Sequence, residues 1–258
     1  MRLASSALVL RAMKLLLDIG NSRLKCAYAI REQLFPLFAV LQNEPDFIEQ
    51  LTRQWQALPD VPNELAISCV GRPENIQRVL NLAEQLWPGI RIKIPKAQAF
   101  ALGVHNAYQE PQKLGIDRWL ALIAVRQICR EDVCVIDCGT AITLDFMSAH
   151  GQHLGGLISP GLTLMKQSLA KGTEQLMFTE TDYLPGLANH TEAAIYSGTL
   201  FAAAGLIEKV LKSQPTTCKL FLTGGDAPLL ATQLNRMVCI VPELVLQGLL
   251  AVSDEDNG

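Results

Sequence analysis

The chain has no Cys-x-x-Cys pair, no surplus of basic residues and no low-complexity linker. Its seven cysteines, at 26, 69, 129, 134, 138, 218 and 239, are scattered and odd in number. That argues against a disulfide framework and for buried, reduced thiols in a cytoplasmic protein. A net charge of -3 leaves no electrostatic footprint for nucleic acid. No apolar run reads as long enough to cross a membrane; Leu244–Val252 is short and Gln247 interrupts it. His150 and His153 flank a turn without a carboxylate or thiolate partner, which is too little for a metal site.

What is present is a chain of 258 residues, 49% hydrophobic and 18% charged, able to bury one large core or two modest ones. Residues 1–12 are mildly apolar, with Arg2 and Arg11 and no clear cleavage site before Met13. Lys14 leads directly into a strand, so Met13 is the expected natural start and residues 1–12 a poorly ordered extension.

The chain is organised around Leu15–Lys25, Leu-Leu-Leu-Asp-Ile-Gly-Asn-Ser-Arg-Leu-Lys. An apolar run ends at Asp18, a polar turn follows at Gly20, Asn21 and Ser22, and a second apolar run leaves it: strand, turn, strand. The same grammar returns at Val133–Phe146, where Asp137-x-Gly139-Thr140 echoes Asp18-x-Gly20-Asn21. The repeat predicts two related halves, each opening on a hairpin able to cradle phosphate.

Element by element, the first half reads as strands at Leu15–Asp18, Leu24–Ile30 and Leu34–Val40, a helix over Glu44–Leu58, a strand at Glu64–Cys69, a helix from Pro73 to Trp87 and a strand at Ile90–Pro95. Pro36 predicts an edge or a bulge in the third strand. Ala97–Lys113 is irregular and Leu114–Arg130 a strong helix. The second half repeats three strands over Asp132–Ser159, and a helix from Pro160 ends at Gly172. Then come a loop (Thr173–Thr191), a small-residue helix (Glu192–Lys212) that lets neighbours pack closely, and strands at Lys219–Thr223 and Met237–Val241, each followed by a helix.

This order, with four motifs, resembles the type III pantothenate kinases (Bvg accessory factor-like), a family of the acetate and sugar kinase/Hsc70/actin superfamily. The motifs are Asp18-Ile-Gly-Asn-Ser-Arg-Leu-Lys25, Gly115-Ile-Asp-Arg118, Asp137-Cys-Gly-Thr-Ala141 and Gly155-Gly-Leu-Ile-Ser-Pro-Gly161. The resemblance implies an α/β fold of two tandem actin-like (ribonuclease H-like) βββαβαβα domains with a nucleotide cleft between them. The expected domains are 13–113 and 114–253, with 114–130 as the inter-domain helix. The implied activity is ATP-dependent phosphorylation of pantothenate to 4′-phosphopantothenate, the first step of coenzyme A biosynthesis, by a homodimer. The small-residue helix is the candidate dimer contact.

By the same resemblance, Asp18, Ile19, Gly20, Asn21, Ser22, Arg23, Leu24, Lys25 and Thr140 meet ATP. Asp18 holds Mg²⁺ through ATP, and Asp137 binds a monovalent cation, K⁺ or NH₄⁺. Asp117 is the catalytic base, and Tyr108, Gly115, Ile116, Asp117, Arg118 and Thr191 contact pantothenate. Arg118 would hold the substrate carboxylate or amide region with its guanidinium fork. Read on their own, these residues have plainer uses: a hairpin turn at Asp18–Lys25, a helix start with a surface ion pair at Asp117-Arg118, a half-buried loop aromatic at Tyr108, an N-cap at Thr191. Gly155–Gly161 reads as architectural, and Gly224-Gly225-Asp226 as either an adenosine passage or an ordinary turn. A helix N-terminus stabilises ionised Asp, so Asp117 is expected to be a weak base; phosphoryl transfer tolerates that, because it needs positioning more than early deprotonation. Two rival functions stay open: a non-catalytic ATP-binding regulator, and a kinase of the same superfamily for another small substrate. The intact Asp117-Arg118 pair disfavours the first.

Overall fold

The computed structural model describes residues 13–42, 44–71, 73–172, 181–215 and 217–255. The extension expected at 1–12 and residues 173–180 of the expected loop lie outside them. The chain forms two compact units, residues 13–95 with 249–255, and residues 96–248.

In the first unit, β1 (Met13–Ile19), β2 (Arg23–Ile30) and β3 (Gln33–Leu41) form an antiparallel meander. β4 (Glu64–Cys69) and β5 (Arg91–Lys93) add parallel strands, giving the order β3-β2-β1-β4-β5. β3 is the edge strand, and its register shifts where Phe38 and Pro36 pair with Cys26 and Ala27. Pro36 thus sits both at an edge and at a bulge, the two places where a missing N–H costs least. α1 (Phe47–Gln56) and α2 (Pro73–Leu86) cover one face of the sheet. Strand alternation sends Leu15, Leu17 and Ile19 into that layer, where they meet Phe47, Leu51, Trp55, Val79 and Ala83. From the central strand β1 and the edge strand β5, Lys14 and Lys93 donate to the last carbonyls of α7 (Leu244–Glu255), at Ser253 and Val252, 3.0 Å each. Two ammonium groups there satisfy orphan acceptors and complement the helix dipole.

The second unit repeats the plan. β8 (Val133–Cys138), β9 (Ala141–Met147) and β10 (His153–Pro160) form the meander, and β11 (Lys219–Thr223) and β12 (Val238–Ile240) complete the order β10-β9-β8-β11-β12. The two matching five-stranded orders are the two related halves that the repeat predicts and the tandem actin-like architecture that the family resemblance implies. One face carries α4 (Leu162–Gly172), α5 (Thr191–Leu211) and α6 (Ala227–Ala231), packed through Ile136, Leu144, Leu200, Ile207 and Leu222. The other face carries α3 (Ile116–Ile128), with Trp119, Leu122 and Ile123 buried. The stretch before α3 is not wholly irregular: β6 (Phe100–Ala101) and β7 (Val104–His105) pair, and a 3-10 turn spans Pro111–Lys113.

Two expectations change. α5 is long and apolar enough to cross a membrane by length and composition, although 44% of its most apolar window is buried. The sequence reading missed this because small residues and scattered polar ones dilute its run. Among the described residues its glycines also admit no close neighbour: a Cβ at Gly198 or Gly205 would meet nothing within 4 Å. Close packing at a glycine occurs instead on α7, where a Cβ at Gly248 would lie 2.0 Å from the Leu120 carbonyl oxygen of α3. Gly248→Ala is therefore expected to destabilise the protein by about 3 kcal/mol, read from chemical denaturation; an unchanged midpoint would show that α3 and α7 are not in fixed contact.

Candidate active site

The first hairpin turn is fixed by backbone and by one side chain that the sequence did not flag. The Gly20 N–H donates to the Arg23 carbonyl (3.0 Å). Gln42, 5% exposed, donates from Nε2 to the carbonyls of Gly20 (2.8 Å) and Arg23 (3.0 Å) and accepts from Asn75 Nδ2 (2.7 Å). The loop after β4 closes on the same turn. The N–H groups of Val70 and Gly71 donate to the Ile19 carbonyl, and a Cβ at Gly71 would lie 2.5 Å from the Gly20 oxygen. Asp18, one residue before the end of β1, is half-buried and accepts from Ser68 Oγ (3.1 Å). Lys25 stands opposite Asp18 in the register, on the same face of the sheet. Ile19 and Leu24 are fully buried, so their side chains belong to the core; Asn21 and Arg23 are exposed.

The second turn has the same grammar and a different length. The Gly139 N–H donates to Ala141 (3.1 Å), so one residue, Thr140, forms the tip where the first turn has Asn21 and Ser22. Asp137 sits where Asp18 does, one residue before the strand end, beside Thr223 as Asp18 is beside Ser68. Its carboxylate is enclosed by glycines: a Cβ at Gly224 or Gly139 would lie 2.6 or 3.3 Å from Oδ1. Gly224 has φ +91, and the Asp226 N–H donates to the Cys138 carbonyl (3.0 Å). Gly224-Gly225-Asp226 is thus the counterpart of the Gly71 loop, a turn seated on the hairpin. Among the described residues, no group of three or more His, Cys, Asp or Glu side chains is placed to hold a metal.

Gly115–Arg118 opens α3. Gly115 is the N-cap residue, with φ -53 and ψ 134, and the Asp117 carboxylate accepts from the Arg118 backbone N–H (2.8 Å). Burial pushes the Asp117 carboxyl above the ordinary aspartate range; the Arg118 N–H and guanidinium oppose that without cancelling it, and Asp145 adds to the rise. The weak base expected from the helix terminus alone is therefore reversed in direction.

Arg118 is not a surface residue. It is 6% exposed and engages Asp145, 2% exposed, through Nε–Oδ2 and Nη2–Oδ1 bonds of 2.7 Å each. Its Nη1 donates to the Tyr108 hydroxyl (3.0 Å). His153, 1% exposed, bonds Asp145 Oδ1 through Nε2 (2.9 Å). A Cβ at Gly156 would lie 2.4 Å from Asp145 Oδ1, so this glycine of the Gly155–Gly161 motif makes room for the pair. Asp145 and His153 were missed. The available signal was a lone carboxylate inside the apolar strand Ala141–Met147, which cannot stay buried unpaired. Thr191 is the first residue of α5 and exposed; His190, not Thr191, stands at the cap.

Residues 14–213 match the type III pantothenate kinase family. The chain belongs to that family. It is 38% identical to a type III pantothenate kinase of Nitrosococcus oceani over 255 residues, covering 95% of each chain. A Dichelobacter nodosus type III pantothenate kinase is 34% identical, covering 93% of this chain and 97% of its own. Among solved structures, a Campylobacter jejuni protein described as a Baf family transcriptional activator is similar at a TM-score of 0.59 and 23% identity, covering 94% and 98% of the two chains. That likeness shows the fold. Membership makes the chain a kinase and removes the non-catalytic rival, and the match at residues 14–213 spans all four motifs.

Asp117 supplies a test of the site's electrostatics. Its native pKa is raised, so the folded state holds the proton more tightly than the unfolded chain. The ionised native carboxylate then costs stability, increasingly as pH rises from the unfolded value near ~4 through the folded one. Asp117→Asn is expected to melt at a higher temperature than the parent at pH 7, with the gain vanishing on acidification to about pH 4. A lower melting temperature at pH 7 would show that the helix terminus, not burial, governs this group.

Proposed function

We propose that the protein uses ATP to phosphorylate the primary hydroxyl of pantothenate, giving 4′-phosphopantothenate on the route to coenzyme A, in the cytoplasm. The observation that carries this reading is the start of α3, where a half-buried carboxylate of raised pKa stands next to a buried guanidinium. Asp117 accepts the hydroxyl proton as the hydroxyl oxygen attacks the γ-phosphorus in line and ADP leaves. Its raised pKa makes it a better proton acceptor than an ordinary aspartate. Tyr108, Gly115, Ile116, Arg118 and Thr191 contact pantothenate. Because Arg118 already spends its fork on Asp145, it meets the substrate through its remaining N–H bonds, not bidentately.

The Asp18–Lys25 turn and Thr140 bind the ATP phosphates. Asn21, Ser22 and Arg23 lie at or next to the tip of the first turn, while Ile19, Gly20 and Leu24 hold its shape. Asp18 offers a hard oxygen to the magnesium that ATP carries, and the glycine-lined carboxylate of Asp137 suits K⁺ or NH₄⁺. Each is a single carboxylate, so the phosphates complete the coordination. When bound, such cations offset the charge of crowded phosphates.

The protein is a homodimer in this reading. α4 and α5 pack together and leave Leu164, Leu169 and Phe201 more than 40% exposed, an apolar surface that a second copy would cover.

ADP release from ATP should require pantothenate and run faster in potassium or ammonium than in sodium; release independent of pantothenate would sink this reading. Asp117→Asn should keep ATP binding and lose about 100-fold or more in turnover. Phe201→Glu should convert the dimer to a monomer in light scattering, and a monomeric parent would remove the dimer from the account.

A further inference from the structure

The reading of Arg118 as a substrate contact leaves open what holds Arg118. In β9 the residues Ile142, Leu144 and Phe146 point into the core shared with α5. Alternation therefore turns Thr143 and Asp145 to the opposite face, the one α3 covers. A carboxylate there must be paired. It is paired on both oxygens. Oδ2 accepts from Arg118 Nε, and Oδ1 accepts from Arg118 Nη2 and bonds His153 Nε2. The Ala107 N–H donates to His153 Nδ1 (3.4 Å), which places the ring proton on Nε2 and makes that nitrogen the donor to Asp145. The Tyr108 ring lies parallel to the His153 ring, 6.2 Å between centroids. Its hydroxyl accepts from the edge of the guanidinium that Asp145 leaves uncovered.

We infer that Asp145 and His153 are positioning residues for pantothenate: Asp145 fixes the plane of the Arg118 guanidinium, and His153 ties the Tyr108 loop to the same carboxylate. A flexible Arg would lose side-chain freedom on binding each substrate molecule; one clamped beforehand does not. Tyr108 and Arg118 approach the substrate from different segments. The carboxylate that they share, one directly and one through His153, sets the distance between them. The inference rests on Tyr108 and Arg118 contacting pantothenate.

The test measures KM for pantothenate and for ATP, with melting temperature, in the full-length protein. Asp145→Asn keeps the shape, removes the charge and sets an amide N–H₂ against a donor. It should raise KM for pantothenate about tenfold or more, with KM for ATP within about twofold of the parent. His153→Leu should shift KM for pantothenate in the same direction. His153→Gln, whose amide can donate to Asp145 and accept from Ala107, should return it toward the parent value. A purely structural pair would lower the melting temperature and leave both KM values alone, and that result overturns the inference. Should Asp145→Asn fail to fold, the two His153 variants decide, and equal KM for pantothenate in them overturns it. Arg118→Lys separates the underlying assignment. If it leaves KM for pantothenate unchanged, Arg118 is not a substrate contact and the inference falls with it. If it raises KM for pantothenate while Asp145→Asn and His153→Leu do not, only the positioning role falls.

Discussion

A buried ion pair is the constraint on which the second unit's site depends. Arg118 and Asp145 are each almost wholly removed from water, between a helix and an apolar sheet. Desolvating two charges costs more than their attraction returns unless every remaining lone pair and proton finds a partner. Here the partners are found, and finding them dictates the surroundings. His153 must reach Asp145 Oδ1, so β10 opens with its histidine inward and shifts register before Gly155. Position 156 must lack a side chain, or it would strike both members of the pair. Tyr108 must bring its hydroxyl to Nη1, so the segment before α3 folds back to place it. Such a pair is weak evidence for net stability. Its product is orientation: one guanidinium and one phenol, from different segments, held in fixed relation.

The two hairpins show the same economy with backbone groups. Each carries an aspartate one residue before the end of a central strand and a glycine two residues after that aspartate, and each is overlaid by a glycine turn from the next parallel strand. A Cβ at Gly71 or Gly224 would enter the hairpin's own carbonyl groups, so these turns can only seat as they do with glycine there. The likeness stops at the tips. The first turn is one residue longer and is pinned by the buried Gln42 amide; the second is shorter and encloses its aspartate with glycines. Related scaffolds thus present different polar groups at their tips.

The strands and most helices were legible because their signals are local. Alternation, runs between glycines and prolines, and the 3.6-residue period placed β1 to β4, β8 to β11, α1, α2 and α3 within a few residues. The doubled hairpin motif was legible for the same reason. What escaped was non-local. Gln42 lies far along the chain from the turn that it clamps and carries no distinguishing neighbour. Asp145 and His153 acquire meaning only once β9, β10 and α3 are stacked. Read one by one, they are a strand carboxylate and a histidine without a partner. α5 was placed to within a residue at each end, but its membrane-compatible length and hydropathy were passed over because scattered polar residues interrupt its apolar run. The relative exposure of its two sides is a property of packing.

Asp117 shows how packing can reverse a local rule. A helix N-terminus favours an ionised carboxylate, and the Arg118 N–H and guanidinium favour it further. Burial strengthens these effects, but it also strips the carboxylate of water, and here that cost is the larger. Here the carboxylate is half-buried and poorly hydrated, and Asp145 has already taken up much of the Arg118 charge. Desolvation then exceeds the sum of the local stabilising terms, and the proton is held more tightly. The same arrangement that neutralises Arg118 thereby raises the basicity of its neighbour. Asp145 thus positions the guanidinium and adds the smaller part of the rise at Asp117, whose larger part is burial.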